Sequence, residues 1–157
     1  VIHEYEPSAD ISIRASRLKG ITLNPELVPN LIDEMPVLFI AAALAEGITK
    51  IRGAEELKFK ESDRLESMAK NLSLFGVKHN LFHDGIDIKG IGQSETDLPF
   101  NSAEFESFGD HRIAMASVIG ALRSKESCKI KNCSNISTSF PDFINSMNKI
   151  GISLKEI

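Results

Sequence analysis

Residues 62–89 read SDRLESMAKNLSLFGVKHNLFHDGIDIK. The stretch changes period in its middle. Leu65, Met68, Ala69, Leu72 and Phe75 recur at three- and four-residue intervals, the mark of a helix with one apolar face. Gly76 follows Phe75 and supplies the left-handed residue with which such helices end. Beyond it, Val77 to Phe82 and Gly85 to Lys89 read as strands joined at the turn His83-Asp84-Gly85. A helix followed at once by a hairpin places the chain in the α/β (α+β) class.

The same alphabet continues on both sides. Upstream, Ile48 to Arg52 is a short strand. Before it, Asp33 opens an apolar helix carrying Met35, Leu38, Phe39, Ala42, Ala43 and Ala45, with Pro36 in the first turn and Gly47 past the end. Pro25 and Pro29 punctuate a loop, Lys19 to Leu23 reads as a strand, and Ile11, Ile13 and Ala15 alternate with polar neighbours as a half-buried strand does. Downstream, Asp110 opens a helix through Leu122, and Ser127 to Lys131 is a strand. Pro141 to Ile150 is a helix with Pro at its first position, closed by Gly151 and followed by a last strand from Ile152 to Leu154. Asp110 lies 77 residues after Asp33, Gly151 lies 75 after Gly76, and Arg64-Leu65 falls beside Ser139-Phe140 in that register. The order repeats, so the chain reads as two related units, about 9–90 and 91–157, stacked on a common core. Helices buried between strands leave their N-termini grouped at one end, where positive dipole ends favour anionic ligands.

The totals narrow the function classes. The 157 residues are 42% hydrophobic with a net charge of −4, enough for one core and without the basic field that nucleic acid requires. The longest apolar run, Pro36 to Ala45, is half the length needed to span a bilayer. Cys128 and Cys133 are not spaced as a disulfide framework or a zinc site and read as reduced thiols. There is no glycine-rich nucleotide fingerprint and no carboxylate-rich metal loop. The start Val1-Ile2-His3-Glu4, without an initiator Met or signal pattern, suggests a chain that has been cut or processed.

Three places carry candidate chemistry. Lys60-Glu61-Ser62-Asp63-Arg64 stands at a helix start, with Ser62 or Glu61 as cap. Lys60 and Arg64 are spaced to share one side of the first turn and seat a phosphate or carboxylate. The bland alternative is a solvated helix start with Glu–Arg pairing. Ser107-Phe108-Gly109-Asp110-His111-Arg112 stands at the lip of an apolar helix, with Asp110 as cap and His111 and Arg112 where an anion would sit. Asp33, between Ile32 and an apolar helix, reads first as an N-cap. His3, His79 and His83 have no partners at ligand spacing and read as surface residues.

Four blocks in order then carry a resemblance: Ile32-Asp33-Glu34, Leu57-Lys58-Phe59-Lys60-Glu61-Ser62-Asp63-Arg64-Leu65, Gly109-Asp110-His111-Arg112-Ile113-Ala114-Met115 and Thr138-Ser139-Phe140-Pro141-Asp142-Phe143. Together they resemble the 5-enolpyruvylshikimate-3-phosphate synthase family over essentially the whole chain. The sister family, UDP-N-acetylglucosamine enolpyruvyltransferase, shares the fold without that pair of charged motifs. The resemblance implies two βαβαββ-type units of an inside-out α/β barrel domain, helices inside and sheets outside, from the C-terminal part of the enzyme. The N-terminal domain, which supplies further site residues, is then absent from this chain. It implies a cytoplasmic monomer, needing no metal or cofactor, that transfers the enolpyruvyl group of phosphoenolpyruvate to shikimate 3-phosphate. It assigns Asp33 as base for the 5-hydroxyl, Glu61 as carrier of the C3 proton and His111 as support for developing charge. Lys60 would contact shikimate 3-phosphate, and Arg64 and Arg112 would clamp phosphoenolpyruvate. Many members carry a lysine where this chain has Thr138, which therefore receives no cationic role. The competing readings are the UDP-sugar enolpyruvyltransferase and a phosphate-ligand binding module without turnover.

Overall fold

The structure, a computed structural model, describes residues 10–92 and 98–157. His3 and the unit boundary at residue 9 lie outside the described residues. The elements are helix α1 (Val28–Leu31), α2 (Met35–Leu44), strand β1 (Glu46–Ile51), α3 (Arg64–Leu74), β2 (His79–Phe82), β3 (Gly85–Ile91), β4 (Glu104–Glu106), α4 (His111–Ala121), β5 (Lys129–Lys131), α5 (Ile136–Ser139) and α6 (Phe143–Lys149).

The 62–89 stretch folds as its pattern demands. Asp63 caps α3 by accepting from the Glu66 amide at 2.9 Å, in place of the expected Ser62 or Glu61. Leu65, Met68, Leu72 and Phe75 are buried, and Gly76 takes φ +82°. The hairpin follows, β2 antiparallel to β3 with Phe82 opposite Gly85. Strand β1 pairs antiparallel on the other side of β3, Ile51 opposite Ile86, so the sheet order is β1-β3-β2. A second, two-stranded sheet pairs β4 and β5 in parallel, Glu106 opposite Lys131.

Helix α2 is apolar on nearly every side, as a helix covered from several directions must be. It packs between β3 and α4, burying Met35, Phe39, Ile40 and Ala43. Phe75, at the end of α3, stacks on Phe105 with centroids 4.1 Å apart and tilts against Phe100 at 4.9 Å. The Asn71 amide donates to Glu106 O and Ser117 Oγ, both at 3.0 Å. One helix is thus tied to both halves of the chain, and most buried residues belong to a single cluster.

Further expectations need correction. Residues 11–16 form no strand: Ile11 and Ile13 are 82% and 86% exposed, and alternation cannot make a strand where no edge pairs with it. Lys19 to Leu23 forms only bridges, parallel to β1, at Lys19↔Glu46 and Thr22↔Lys50. Pro141 does not start α6. The chain turns through Pro141 and Asp142, and the helix begins at Phe143. Residues 152–154 are not a strand: the Asn148 side chain takes both the Leu154 amide and carbonyl, and the Ile152 amide turns back to the Met147 carbonyl. His79 is half-buried in β2, whereas His83 is exposed and pairs with Glu55.

Candidate functional site

The starts of α3 and α4 and the turn before α2 meet at one point, and their charged side chains meet with them. Arg64 is at the centre, 1% exposed. Its Nε donates to Asp110 Oδ2 at 2.8 Å, one terminal nitrogen to Asp33 Oδ1 at 3.0 Å and the other to Glu61 Oε2 at 2.5 Å. A planar guanidinium suits this duty, because its donors fan outward in fixed directions. Asp110 is fully buried, whereas Asp33 and Glu61 are 50% and 48% exposed. The inner partner is structural in position; the outer two face solvent.

Asp110 serves two elements at once. Its Oδ1 accepts from the amides of Arg112 at 2.8 Å and Ile113 at 3.4 Å, capping α4 as expected. Its Oδ2 accepts from Arg64 and from Ser62 Oγ at 3.3 Å. The sequence presents Asp110 only as a cap. Its ion pair with Arg64 depends on a contact between residues 46 apart, which no local pattern reveals. The available signal was the juxtaposition of Asp-His-Arg with an apolar helix.

Asp33 does not cap α2. Glu34 occupies that position without a side-chain cap bond, and the Asp33 carboxylate is drawn instead to the two arginines. Arg112 reaches Asp33 Oδ2 at 3.4 Å, donates to the Asp33 carbonyl at 2.9 Å and pairs with Glu34 at 3.1 Å. The hydrogen bond from Arg64 holds the Asp33 carboxyl below its ordinary range, helped by the charges of Arg112, Arg64 and Lys60 and opposed by burial. Burial also works against the charge of Arg64, but the bond and charge of Asp110, with Asp33 and Glu61 behind them, hold its guanidinium above the usual range.

Lys60 departs from the expected shared turn with Arg64. It lies before the helix on extended backbone, and its Nζ pairs with Glu56 at 2.6 Å. His111, the first residue of α4, is half-buried and makes no side-chain hydrogen bond among the described residues. A cleft of about 120 Å³ opens beside the cluster, lined by Asp33, Pro36, Val37, Arg112, Met115 and Ile119. One end is therefore charged and the other apolar, the mix that small-molecule sites use. Among the described residues no group of His, Cys, Asp and Glu is placed to hold a metal ion. No helix there is long and apolar enough to cross a membrane.

Comparison with known proteins gives a consistent result. Residues 3–147 match the family described as EPSP synthase (3-phosphoshikimate 1-carboxyvinyltransferase). The 3-phosphoshikimate 1-carboxyvinyltransferase of Magnetococcus marinus is 46% identical over 152 residues, 97% of this chain and 33% of the relative. That of Thermosynechococcus vestitus is 44% identical over 145 residues, 92% of this chain and 32% of the relative. A solved EPSP synthase structure from Acinetobacter baumannii superposes with TM-score 0.85 at 43% identity, covering 88% of this chain and 32% of that one. The chain spans about a third of the length of the relatives it matches.

Proposed function

The chain belongs to the EPSP synthase (3-phosphoshikimate 1-carboxyvinyltransferase) family, and on that premise we propose that it is the C-terminal part of an enzyme that transfers an enolpyruvyl group. Phosphoenolpyruvate is the donor and the 5-hydroxyl of shikimate 3-phosphate the acceptor; the products are 5-enolpyruvylshikimate 3-phosphate and phosphate, on the route to chorismate and aromatic amino acids. The observation that carries the reading is the convergence of Asp33, Glu61 and Asp110 on Arg64, with Arg112 alongside, where the starts of α3 and α4 meet.

The chemistry needs cations for two anionic substrates and groups that move protons. In this reading Asp33 takes the 5-hydroxyl proton as that oxygen attacks C2. Glu61 delivers a proton to C3 and takes one back as phosphate leaves. Arg64 and Arg112 bind the carboxylate and phosphate of phosphoenolpyruvate, Lys60 contacts shikimate 3-phosphate and His111 supports charge developing at the reacting centre. The half-exposed partners of Arg64 are the proposed acid–base groups themselves. An incoming anion that displaces them from the guanidinium frees the carboxylates for proton transfer. The buried bond to Asp110 holds the arginine in place meanwhile. The units 9–90 and 91–157 are read as two of the βαβαββ repeats of an inside-out barrel. An N-terminal domain completes the site, and the enzyme works in the cytoplasm as a monomer without metal or cofactor.

The test is direct. The full-length enzyme carrying this chain should release phosphate from phosphoenolpyruvate only with shikimate 3-phosphate, and not with UDP-N-acetylglucosamine. Glu61→Gln keeps the shape and an acceptor but cannot carry the proton, so turnover should fall with little change in substrate affinity. Release driven by the UDP-sugar instead would reassign the enzyme. Weakened binding in Glu61→Gln at unchanged turnover would make Glu61 a binding group. The sister activity calls for a reactive thiol. Here burial and the charge of Glu106 push the Cys133 thiol up, away from the thiolate.

A further inference from the structure

We propose that Glu106 is a positioning residue for this site: from the end of β4 its carboxylate holds the Phe108-Gly109 turn left-handed, and so sets where Asp110, His111 and Arg112 stand. The inference rests on the functional reading above.

The turn between β4 and α4 is unusual in one residue. Phe108 has φ +56° and Gly109 φ +74°. Glycine takes that conformation freely, but a bulky side chain does so only under constraint. The constraint is not core packing, because Phe108 is 37% exposed, with Lys70 Nζ 5.3 Å from its ring centroid. It is a set of hydrogen bonds. Glu106 Oε1 accepts from the Phe108 amide at 3.1 Å and from Asn132 Nδ2 at 2.7 Å. Asn132, at φ +56°, is the other non-glycine residue with positive φ among the described residues. One carboxylate oxygen thus bridges the two left-handed positions, across adjacent ends of β4 and β5.

Ser107 completes the frame. Its hydroxyl donates to Asn132 O at 2.7 Å and accepts from the Gly109 amide at 3.1 Å, and Asn135 Nδ2 donates to Gly109 O. Among the described residues Glu106 is not engaged as an ordinary surface ion pair. Lys131 feels its charge but pairs with Glu104. Directly after this frame come Asp110, which holds Arg64, and Arg112, which reaches Asp33. If Phe108 relaxes to negative φ, the chain enters α4 from another direction, and the cap and both arginine contacts move with it. Misplacement of reacting groups by about 1 Å can cost about a hundredfold in rate.

The experiment compares kcat and KM of the full-length enzyme with Glu106→Ala, Glu106→Gln and Glu106→Ala/Phe108→Gly. Glu106→Ala should lose about tenfold or more in kcat/KM. Glu106→Gln, which keeps the bridging oxygen, should stay within about threefold of the unsubstituted enzyme. In the double variant glycine adopts positive φ without the tether, so most of the loss should return. Unchanged activity in Glu106→Ala, or equal damage in Glu106→Gln, overturns the proposal. Should Glu106→Ala alone fail to fold, the double variant decides: recovery supports the tether and a tenfold loss overturns it. An unsubstituted enzyme without enolpyruvyl transfer overturns the functional reading and this role with it. Turnover that is indifferent to Glu106 overturns this role alone.

Discussion

Arg64 and Asp110 form a buried ion pair between the starts of two helices, Nε to Oδ2 at 2.8 Å, with side chains 1% and 0% exposed. Burying two charges is costly unless every donor and acceptor is met. Here the pair is well supported: each guanidinium nitrogen donates to a carboxylate, and the Asp110 oxygens accept from Arg64, Ser62 and two helix amides. Removing Asp110 leaves the buried Nε–H of Arg64 without its acceptor, although Asp33 and Glu61 still pair with the terminal nitrogens. Asp110→Ala should therefore destabilise the chain by about 3–5 kcal/mol, the lost helix cap included. Asp110→Asn should cost less, since its carbonyl can still accept from the Arg112 and Ile113 amides. Urea denaturation of the two variants checks this. Equal stabilities of Asp110→Ala and the parent chain would mean that the pair is not closed in solution.

Asp33 gives the pH dependence of the same cluster. Its carboxyl lies below the ordinary range in the folded state, chiefly through the hydrogen bond from Arg64. A depressed carboxyl contributes stability that is present above its unfolded value, about 3.9, and is lost as pH falls through the folded value. Stability should therefore decline as the solution is acidified below about pH 4, and Asp33→Asn should flatten part of that decline. Asp33 is half-exposed, so screening keeps its share to about 1 kcal/mol or less. Urea midpoints at neutral and acid pH, at low and high salt, provide the measurement. An acid decline equally steep in Asp33→Asn would move its origin to another carboxylate.

How much of this was legible in the sequence depends on the range of the interactions. Helix α3 with its closing Gly76, helix α4 with its Asp110 cap, and the β2–β3 hairpin were readable, because their signals lie within a few residues. Strand β4 was missed: Glu104-Phe105-Glu106 gives one buried residue between two polar ones, too short a period to register. Ile11 to Ala15 failed the other way, showing alternation with nothing to pair against. The site was legible as residue types but not as contacts. Asp33, Glu61, Arg64 and Arg112 stood out at helix starts, and resemblance supplied their roles. That Arg64 is buried, that Asp33 turns from cap to arginine ligand and that Lys60 pairs with Glu56 are outcomes of packing between distant segments.

At the far ends of α3 and α4 from the cluster, the packing is sensitive to a single methyl group. A Cβ at Gly120, in α4, would stand 2.7 Å from Phe75 Cζ and 3.1 Å from Ile40 Cδ1. Phe75 cannot swing away, because Phe100 and Phe105 hold its ring. Alanine gains about 1 kcal/mol in helix propensity over glycine, whereas overpacking a filled core costs about 1–3 kcal/mol. Gly120→Ala should lower stability despite the better propensity, read as a lower thermal midpoint. A raised midpoint would show that the α3–α4 contact has room which the packing here does not.

The last expectation concerns the 157-residue chain assayed by itself. Around the cleft, Arg64 and Arg112 are already matched by Asp33, Glu34, Glu61 and Asp110, and Lys60 by Glu56. A dianionic substrate meeting this surface must compete with carboxylates and finds no surplus of positive charge among these residues. The cleft is also small and open to solvent, about 120 Å³, so water is not excluded and the contacts stay screened. Holding two substrates in register can supply about 7–11 kcal/mol of a barrier, and one open surface does not hold them. The chain alone should give negligible turnover of shikimate 3-phosphate and phosphoenolpyruvate, followed as phosphate release. On the functional reading proposed above, adding the separately produced N-terminal part should restore it, because that part would bring further cations and the closing surface. Turnover by the chain alone at a rate near that of the full-length enzyme would show that this surface is a complete site and that the acidic partners of Arg64 and Arg112 yield without help.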